Sequence, residues 1–239
     1  MLTPLYSYYF KRKRLRLDLR LADVASKTEI NISQLSQFEN NELKLSNRPI
    51  DKLTVFYKCK PLYFSKYSIN EIYINNCLKK LYFMDFKEED LSELIKHIEE
   101  LKNNAYLGYY EIILWCYKAL HIQFDDTFIT QLQLIESSLP LLPSSVQEFF
   151  HVCLLHYYSR INNSDKYSET RNILQTYTHR YWLGLDQIAE IGYSFTNNKI
   201  SNLQSIIENC KQHFLSISNT NRYNACLMFE AIYLTKIRS

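Results

Sequence analysis

Apolar residues recur every three to four positions along most of the chain, which is the spacing of amphipathic α-helices. Pro4 opens the first predicted helix, which ends near Leu17, and a second covers about residues 21–28. Asn31 is a good N-cap for a third helix, and Pro49 opens a fourth. Only 3 Gly and 5 Pro are present, so few turns are available for a sheet-rich fold. The pattern predicts an all-α protein.

The later part of the chain repeats one helical pattern five times, over about 69–83, 109–122, 148–161, 185–198 and 223–237. A small residue recurs in it at intervals of 39, 37, 39 and 39 residues: Cys77, Cys116, Cys153, Gly192 and Ala231. Four further helices are predicted between the repeats, over about 88–103, 125–138, 165–180 and 199–215. Ser145 with Glu148 predicts a capping box in the third repeat. Stacked units of this kind predict a right-handed superhelix of helical hairpins.

Charge divides the chain at about the same place as the repeats. Residues 1–66 hold 13 Lys and Arg against 6 Asp and Glu, a balance of +7, whereas residues 67–239 hold 15 against 19, a balance of −4. We therefore expect one domain over 1–66 and a second over 67–239. A basic domain is typical of proteins that meet a polyanion, although a solubilising basic face would give the same balance. Five of the cations fall in the first helix, where we expect a positive surface: Lys11, Arg12, Lys13, Arg14 and Arg16.

Several classes of function are disfavoured by what the sequence lacks. The sequence contains no run of 18 apolar residues, so no membrane span is predicted. The first residues do not have the order of a signal peptide, so we expect a cytoplasmic protein without membrane partners. The six cysteines form no CxxC pair and the six histidines have no ligand spacing, so neither a metal nor a cofactor is expected. No phosphate-binding loop or nucleophile motif is present, and an enzyme is not expected.

The stretch between Val24 and Ser46 carries a recognisable set of positions: Val24, Ala25, Ile30, Asn31, Leu35, Ser36, Phe38, Glu39, Asn41 and Ser46. Without a gap, this set resembles the helix-turn-helix of lambda-repressor-like, or Xre-type, DNA-binding domains. The chain departs from that family at three positions, because Glu29 and Asn41 replace Gly and Leu45 replaces Pro. The resemblance implies a five-helix-type DNA-binding domain over residues 1–66.

The same resemblance implies roles for individual residues. An Arg of the first helix pairs with the Glu of the motif in that family, and the matching residues are Arg14 and Glu39. The positions that face base edges in the major groove are Ile32, Ser33 and Gln37, with Gln34 beside them. The positions that face phosphates are Asn31, Asn41, Lys44 and Ser46. The alternative is that these are solvated polar residues of a degenerate motif that serves only in packing, with Arg14 as one more exposed cation.

The repeats resemble the tetratricopeptide class in architecture, although their period is longer. The whole chain resembles the Rgg/PlcR/PrgX group of peptide-pheromone-responsive bacterial regulators. That resemblance implies a transcription regulator that binds double-stranded DNA as a homodimer and responds, as in quorum sensing, to a short hydrophobic signalling peptide. Two alternatives stay open: a protein-interaction scaffold with a vestigial helix-turn-helix, and a phage-type repressor that takes no peptide.

If the tetratricopeptide register holds, first-helix positions line an inner groove suited to such a peptide. Those positions are Tyr110, Ile113, Tyr117, His121, Gln147, Phe150, Leu154, Tyr157, Tyr158, Asp186, Tyr193, Asn197 and Met228. Aromatic residues at helical spacing are also common in packed cores. An error of one turn in the register would exchange the groove-lining positions with the core positions.

Overall fold

The computed structural model describes residues 5–59, 71–178, 181–199 and 201–237, and every regular element in these ranges is helical. The α-helices are α1 Tyr6–Arg16, α2 Leu21–Thr28, α3 Ile32–Glu39, α4 Asn47–Phe56, α5 Glu71–Phe83, α6 Glu88–Glu100, α7 Leu107–Leu120, α8 Asp126–Ser138, α9 Ser144–Arg160, α10 Ser164–Gln175, α11 Leu185–Thr196, α12 Leu203–Ser216 and α13 Thr220–Lys236. A short 3₁₀ helix, Leu139–Leu141, follows α8. The predicted all-α class is confirmed.

The start of α4 differs from the sequence prediction. α4 begins at Asn47, two residues before Pro49, because the extended Ser46 stands at its N-cap. Pro49 is tolerated there, since the first four N–H groups of a helix have no partner within it. The predicted start at Pro4, the boundary at residues 66 and 67, and any fifth helix over 60–70 lie outside the described residues.

The chain forms two compact units, and the first draws on Met1–Asn75, Glu88–Trp115 and Phe124–Pro143. In this unit α2 packs against α3 and α4, while α1 packs against α3 and α8. The core around α1 to α4 is built from buried residues of all four helices and one later residue: Tyr9, Phe10, Val24, Ala25, Ile30, Leu35, Phe38, Ile50, Leu53, Tyr57 and Ala105. The first four helices therefore share their unit with parts of the predicted repeats.

A buried carboxylate joins α1 to α7 within the first unit. Glu111 is 4% exposed, accepts a hydrogen bond from the Tyr8 hydroxyl, and pairs with the Arg12 guanidinium at 2.5 Å. Burial raises the pKa of Glu111, and the neighbouring Arg12 opposes that shift. A buried charge is tolerated only when it is paired and hydrogen-bonded, so these three residues hold the two helices in one arrangement.

The second unit contains Asn76–Lys87, Cys116–Gln123 and Ser144–Ser239. Here α9 packs between α10 and α11, α11 packs on α12, and α12 packs on α13. α9 begins at Ser144, one residue before the predicted cap Ser145, and both residues of the predicted capping box take part in longer-range bonds. Glu148 is fully buried and accepts from the backbone N–H of Tyr181 at 2.6 Å, while the Trp182 indole donates to the Ser145 carbonyl at 2.6 Å.

The small residues of the repeat do not all serve one purpose. Cys77, Cys116 and Cys153 are buried, whereas Gly192 is half-buried and Ala231 is exposed. All six cysteines are free, and five of them are buried. The five repeat helices and the four helices between them are present, and the superhelix that they were expected to build stays a prediction.

Candidate nucleic-acid interface

Local polar contacts define the turn between α2 and α3. α2 ends at Thr28, and Glu29 adopts the left-handed conformation with φ of 55°. The Asn31 side chain then accepts a hydrogen bond from the Ser33 N–H at 2.8 Å, which caps α3. Glu29 pairs with Lys52 at 2.9 Å, but the carboxylate is so exposed that the pair contributes little stability. Glu29 therefore holds a left-handed backbone conformation that glycine adopts more readily than a residue with a Cβ.

α3 has a buried face and an exposed face. Leu35, Phe38 and Glu39 are buried, and the Phe38 ring packs against that of Phe10. The exposed side chains are Ile32, Ser33, Gln34 and Gln37. None of these four is charged, so the exposed face offers one apolar contact and three hydrogen-bonding groups. Every position that the resemblance assigns to base edges is therefore open to a ligand.

An ion pair holds the end of α3 against α1. Arg14 donates from Nε and Nη2 to the two carboxylate oxygens of Glu39, at 2.8 Å for each of the closest contacts, and from Nη1 to the Leu19 carbonyl at 2.9 Å. Glu39 is 3% exposed. The hydrogen bond with Glu39 raises the pKa of Arg14, which keeps the guanidinium charged. These are the two residues that the resemblance pairs.

The loop after α3 is divided between inward and outward positions. Asn41 has φ of 61° and is half-buried. Its amide donates to the Ser137 carbonyl and its side-chain oxygen accepts from the Ser7 hydroxyl. The Asn41 side chain is thus engaged inside the first unit and is not presented to a phosphate. Lys44 and Ser46, by contrast, are exposed.

The predicted positive surface of α1 needs correction. Arg12 and Arg14 pair with buried carboxylates, Lys13 donates to Asn103 at 2.9 Å, and Lys11 donates to Asn40 at 3.3 Å. Of the five α1 cations, only Arg16 is exposed, and the other four are half-buried. Helical spacing showed that these residues share a helix but could not show that other parts of the first unit supply partners for them.

Two cations near α3 were not singled out in the sequence. Lys27 and Arg48 are exposed and line a shallow groove together with Glu29 of the turn. Arg48 lies in the first turn of α4, and Lys27 in the last turn of α2. Their closeness to the turn was the feature of the sequence that could have indicated these two residues. With Lys44 and Ser46 after α3, exposed positive charge stands near both ends of the helix.

The residues predicted to line a peptide groove are mostly interior. Seven of the thirteen are buried: Tyr110, Ile113, Phe150, Leu154, Tyr157, Tyr158 and Tyr193. Tyr117, Gln147, Asp186 and Asn197 are half-buried, and His121 and Met228 are exposed. Tyr110 and Ile113 belong to the first unit and the other eleven to the second. Burial therefore corrects the prediction for the seven interior residues.

The packing of α9 shows why residues predicted to line the groove are interior. This helix packs against α10 and α11 and buries residues around most of its circumference. Periodicity identifies which positions of such a helix are apolar, but not which of them a neighbouring helix will cover. Tyr193 of α11 illustrates the outcome, since its ring stacks on Tyr167 with the centroids 4.0 Å apart.

No group of three His, Cys, Asp or Glu side chains that could hold a metal ion occurs in the described ranges. In the same ranges, no helix has the length and apolar content that crossing a bilayer requires. Comparisons of the chain with protein-family models, with curated proteins and with solved structures gave no match.

Proposed function

We propose that this protein is a sequence-specific DNA-binding regulator of transcription that reads the major groove with α3. The observation that carries the proposal is the division of α3 into two faces. Its inner face is fixed by the core and by the Arg14–Glu39 pair, while Ile32, Ser33 and Gln37 are exposed. A helix that is held rigidly and presents uncharged polar side chains suits the reading of base edges.

The exposed groups match the chemistry of a DNA groove. A Gln side chain can bind adenine through two hydrogen bonds, so Gln37 and the neighbouring Gln34 favour A·T pairs, and Ile32 can contact a thymine methyl group. Lys44, Ser46, Lys27 and Arg48 are available for the flanking phosphates. The N–H groups at the start of α3 provide a further anion contact.

The proposed regulator acts in the cytoplasm as a homodimer on a two-fold operator, with the Xre-type domain at its N-terminus and tetratricopeptide-like hairpins behind it. Two copies related by a two-fold axis place two α3 helices about 34–36 Å apart, one turn of DNA. The peptide ligand is not part of this proposal, because seven of the residues assigned to its groove are buried.

One observation favours a second function, a protein-interaction scaffold whose α2–α3 segment serves only in packing. Two of the five cations of α1, Arg12 and Arg14, are paired with buried carboxylates within the first unit, so their charges are not available to phosphates. The two functions differ in what the exposed face of α3 does.

Selection of bound duplexes from a random DNA library separates the two functions. We expect the full chain to enrich a two-fold sequence, and Gln37→Ala to weaken binding to it about ten-fold and to relax the preference at one base pair of each half-site. Gln204→Ala is the matched control, because Gln204 is an equally exposed Gln on α12. Enrichment of no sequence by the folded protein would favour the scaffold.

A further inference from the structure

A cavity of about 280 Å³ lies within the second unit, among residues of α5, α7, α9, α11 and α13 and the segment after α5. Its apolar wall includes Leu81, Phe86, Leu120, Ile188 and Phe229. The volume is near the lower end of the range for small-molecule sites. At roughly 30 Å³ for each water-sized group, it has room for a molecule of about ten non-hydrogen atoms.

The polar part of the wall is basic. Arg222, Arg160, His121 and His156 line the cavity, and no Asp or Glu is among the lining residues that the structure describes. The His156 Nε2 lies 3.2 Å from the Leu185 carbonyl, so this nitrogen carries the proton and donates. Burial lowers the pKa of His156, and partial desolvation lowers the pKa of the more exposed His121, so both rings are neutral at pH 7 and the positive charge comes from the two Arg residues.

Arg222 is the buried charge of this wall. The residue is 7% exposed, and its Nε and Nη2 donate to the Tyr82 and Leu81 carbonyls at 2.9 and 3.0 Å. Burial lowers the pKa of Arg222 to about 10, which still leaves the guanidinium charged at neutral pH. Within the described part of the chain, no carboxylate forms an ion pair with it.

The two hydrogen bonds to carbonyl groups at the end of α5 use only part of the hydrogen-bonding capacity of Arg222. The two carbonyls belong to the last turn of α5, where carbonyl groups have no partner within the helix. A guanidinium has five N–H donors, so two hydrogen bonds leave three donors without an acceptor among the described residues. A buried charge without a counter-charge is costly, and a bound anion would remove that cost.

We propose that the cavity is a binding site for a small organic carboxylate, held by the Arg222 guanidinium with its apolar body against Leu120, Ile188 and Phe229. This site is additional to the proposed DNA-binding function and does not depend on it. Arg222 supplies a charge-assisted hydrogen bond to the carboxylate, and the absence of acidic lining residues excludes cationic ligands. A neutral ligand of the same shape would leave the guanidinium without a counter-charge.

Calorimetric titration of the full chain with 3-phenylpropionate tests the proposal, with 3-phenylpropionamide as the neutral probe of the same shape. We expect the carboxylate to bind and to raise the melting temperature as its concentration rises, and the amide to bind at least ten-fold more weakly. Equal binding of the two, or binding of neither, would overturn the proposal. So would binding of phenyl phosphate or inorganic phosphate with no binding of the carboxylate.

Variants of cavity residues test whether the ligand binds in the cavity. Arg222→Met should weaken carboxylate binding at least ten-fold without changing the weak binding of the amide. Because Arg222→Met also loses two bonds to α5 and can unfold, Gly192→Leu provides a second test by filling the cavity. Gly192→Ala is its matched control, since an added Cβ meets nothing closer than the Ser159 hydroxyl at 3.7 Å. Full carboxylate affinity in folded Gly192→Leu would show that the ligand binds elsewhere.

Discussion

Arg14 and Glu39 form a pair whose value depends on both charges being present. Glu39 is almost fully buried and Arg14 is largely buried, so neither charge is well solvated alone. We expect Glu39→Ala to lower the free energy of unfolding by about 3 kcal/mol, because Arg14 is then left without its counter-charge. Urea unfolding followed by circular dichroism measures this loss.

The double variant Arg14→Met, Glu39→Leu is the control for that prediction. Replacing both partners by apolar residues leaves no unpaired charge, so its loss should be smaller than the sum of the losses in Arg14→Met and Glu39→Leu, measured singly, by at least about 1 kcal/mol. Losses that simply add would show that the two side chains do not stabilise each other.

Single-residue roles were predictable from the sequence only where a motif supplied them. Arg14 and Glu39 are 25 positions apart, and the resemblance named both. Glu111 and Arg222 were not anticipated, because their partners lie 103 and about 140 positions away along the chain. No local pattern records a contact of that kind, and the same limit explains why the α1 cations were expected on the surface.

At the scale of helices, two glycines provide a matched comparison. Gly108 lies in α7 against α1, where an added Cβ would meet the buried Leu5 side chain at 2.8 Å and Tyr8 at 3.0 Å. Gly192 lies in α11, where the nearest atom would be 3.7 Å away. Glycine is less favourable than alanine within a helix by about 1 kcal/mol. Packing around each glycine therefore decides whether its replacement by Ala raises or lowers the free energy of unfolding.

We therefore expect Gly108→Ala to lower the free energy of unfolding by about 1 kcal/mol, because a well-packed core does not accept an extra methyl group. We expect Gly192→Ala to raise it by up to about 1 kcal/mol. Thermal melts of both variants under one condition make the comparison. An increase in both variants would mean that α1 and α7 are less closely packed than described.

Helix positions were well predicted because periodicity is a local property of the chain, and all thirteen helices in the described ranges had been expected. The burial of individual faces was not predictable in the same way. Phe150 and Tyr158 were assigned to an open groove and are buried, and their helix, α9, packs against both α10 and α11. Which helix covers which face depends on the tertiary arrangement.

For the whole molecule, buried histidines make stability depend on pH. Burial, followed by the charge of Arg222, lowers the pKa of His156 to about 3, compared with about 6.5 in an unfolded chain. Below pH 6.5 the unfolded state takes up a proton that the folded state does not. Stability is therefore lost as the pH falls from about 6.5 towards 3, by at most about 1.4 kcal/mol per pH unit from this group.

Melting temperatures at pH 7.5 and pH 5.0 measure this effect. The wild type should melt at a lower temperature at pH 5.0, and His156→Gln, which keeps a donor for the Leu185 carbonyl, should show a smaller decrease. Burial lowers the pKa of His151 and partial desolvation lowers that of the exposed His121, so both act in the same direction, whereas the raised pKa of Glu111 opposes them. An unchanged pH dependence in the variant would rule out His156 as a contributor.

DNA binding by α3 and its flanking cations is the central property to measure. Fluorescence anisotropy with the selected duplex, between 50 and 200 mM salt, measures this. The logarithm of the binding constant should fall linearly with the logarithm of salt concentration. Lys44→Ala should reduce the slope by about 1, while Gln37→Ala weakens binding and leaves the slope unchanged. Folded protein that shows no salt-dependent binding to any duplex would contradict the account.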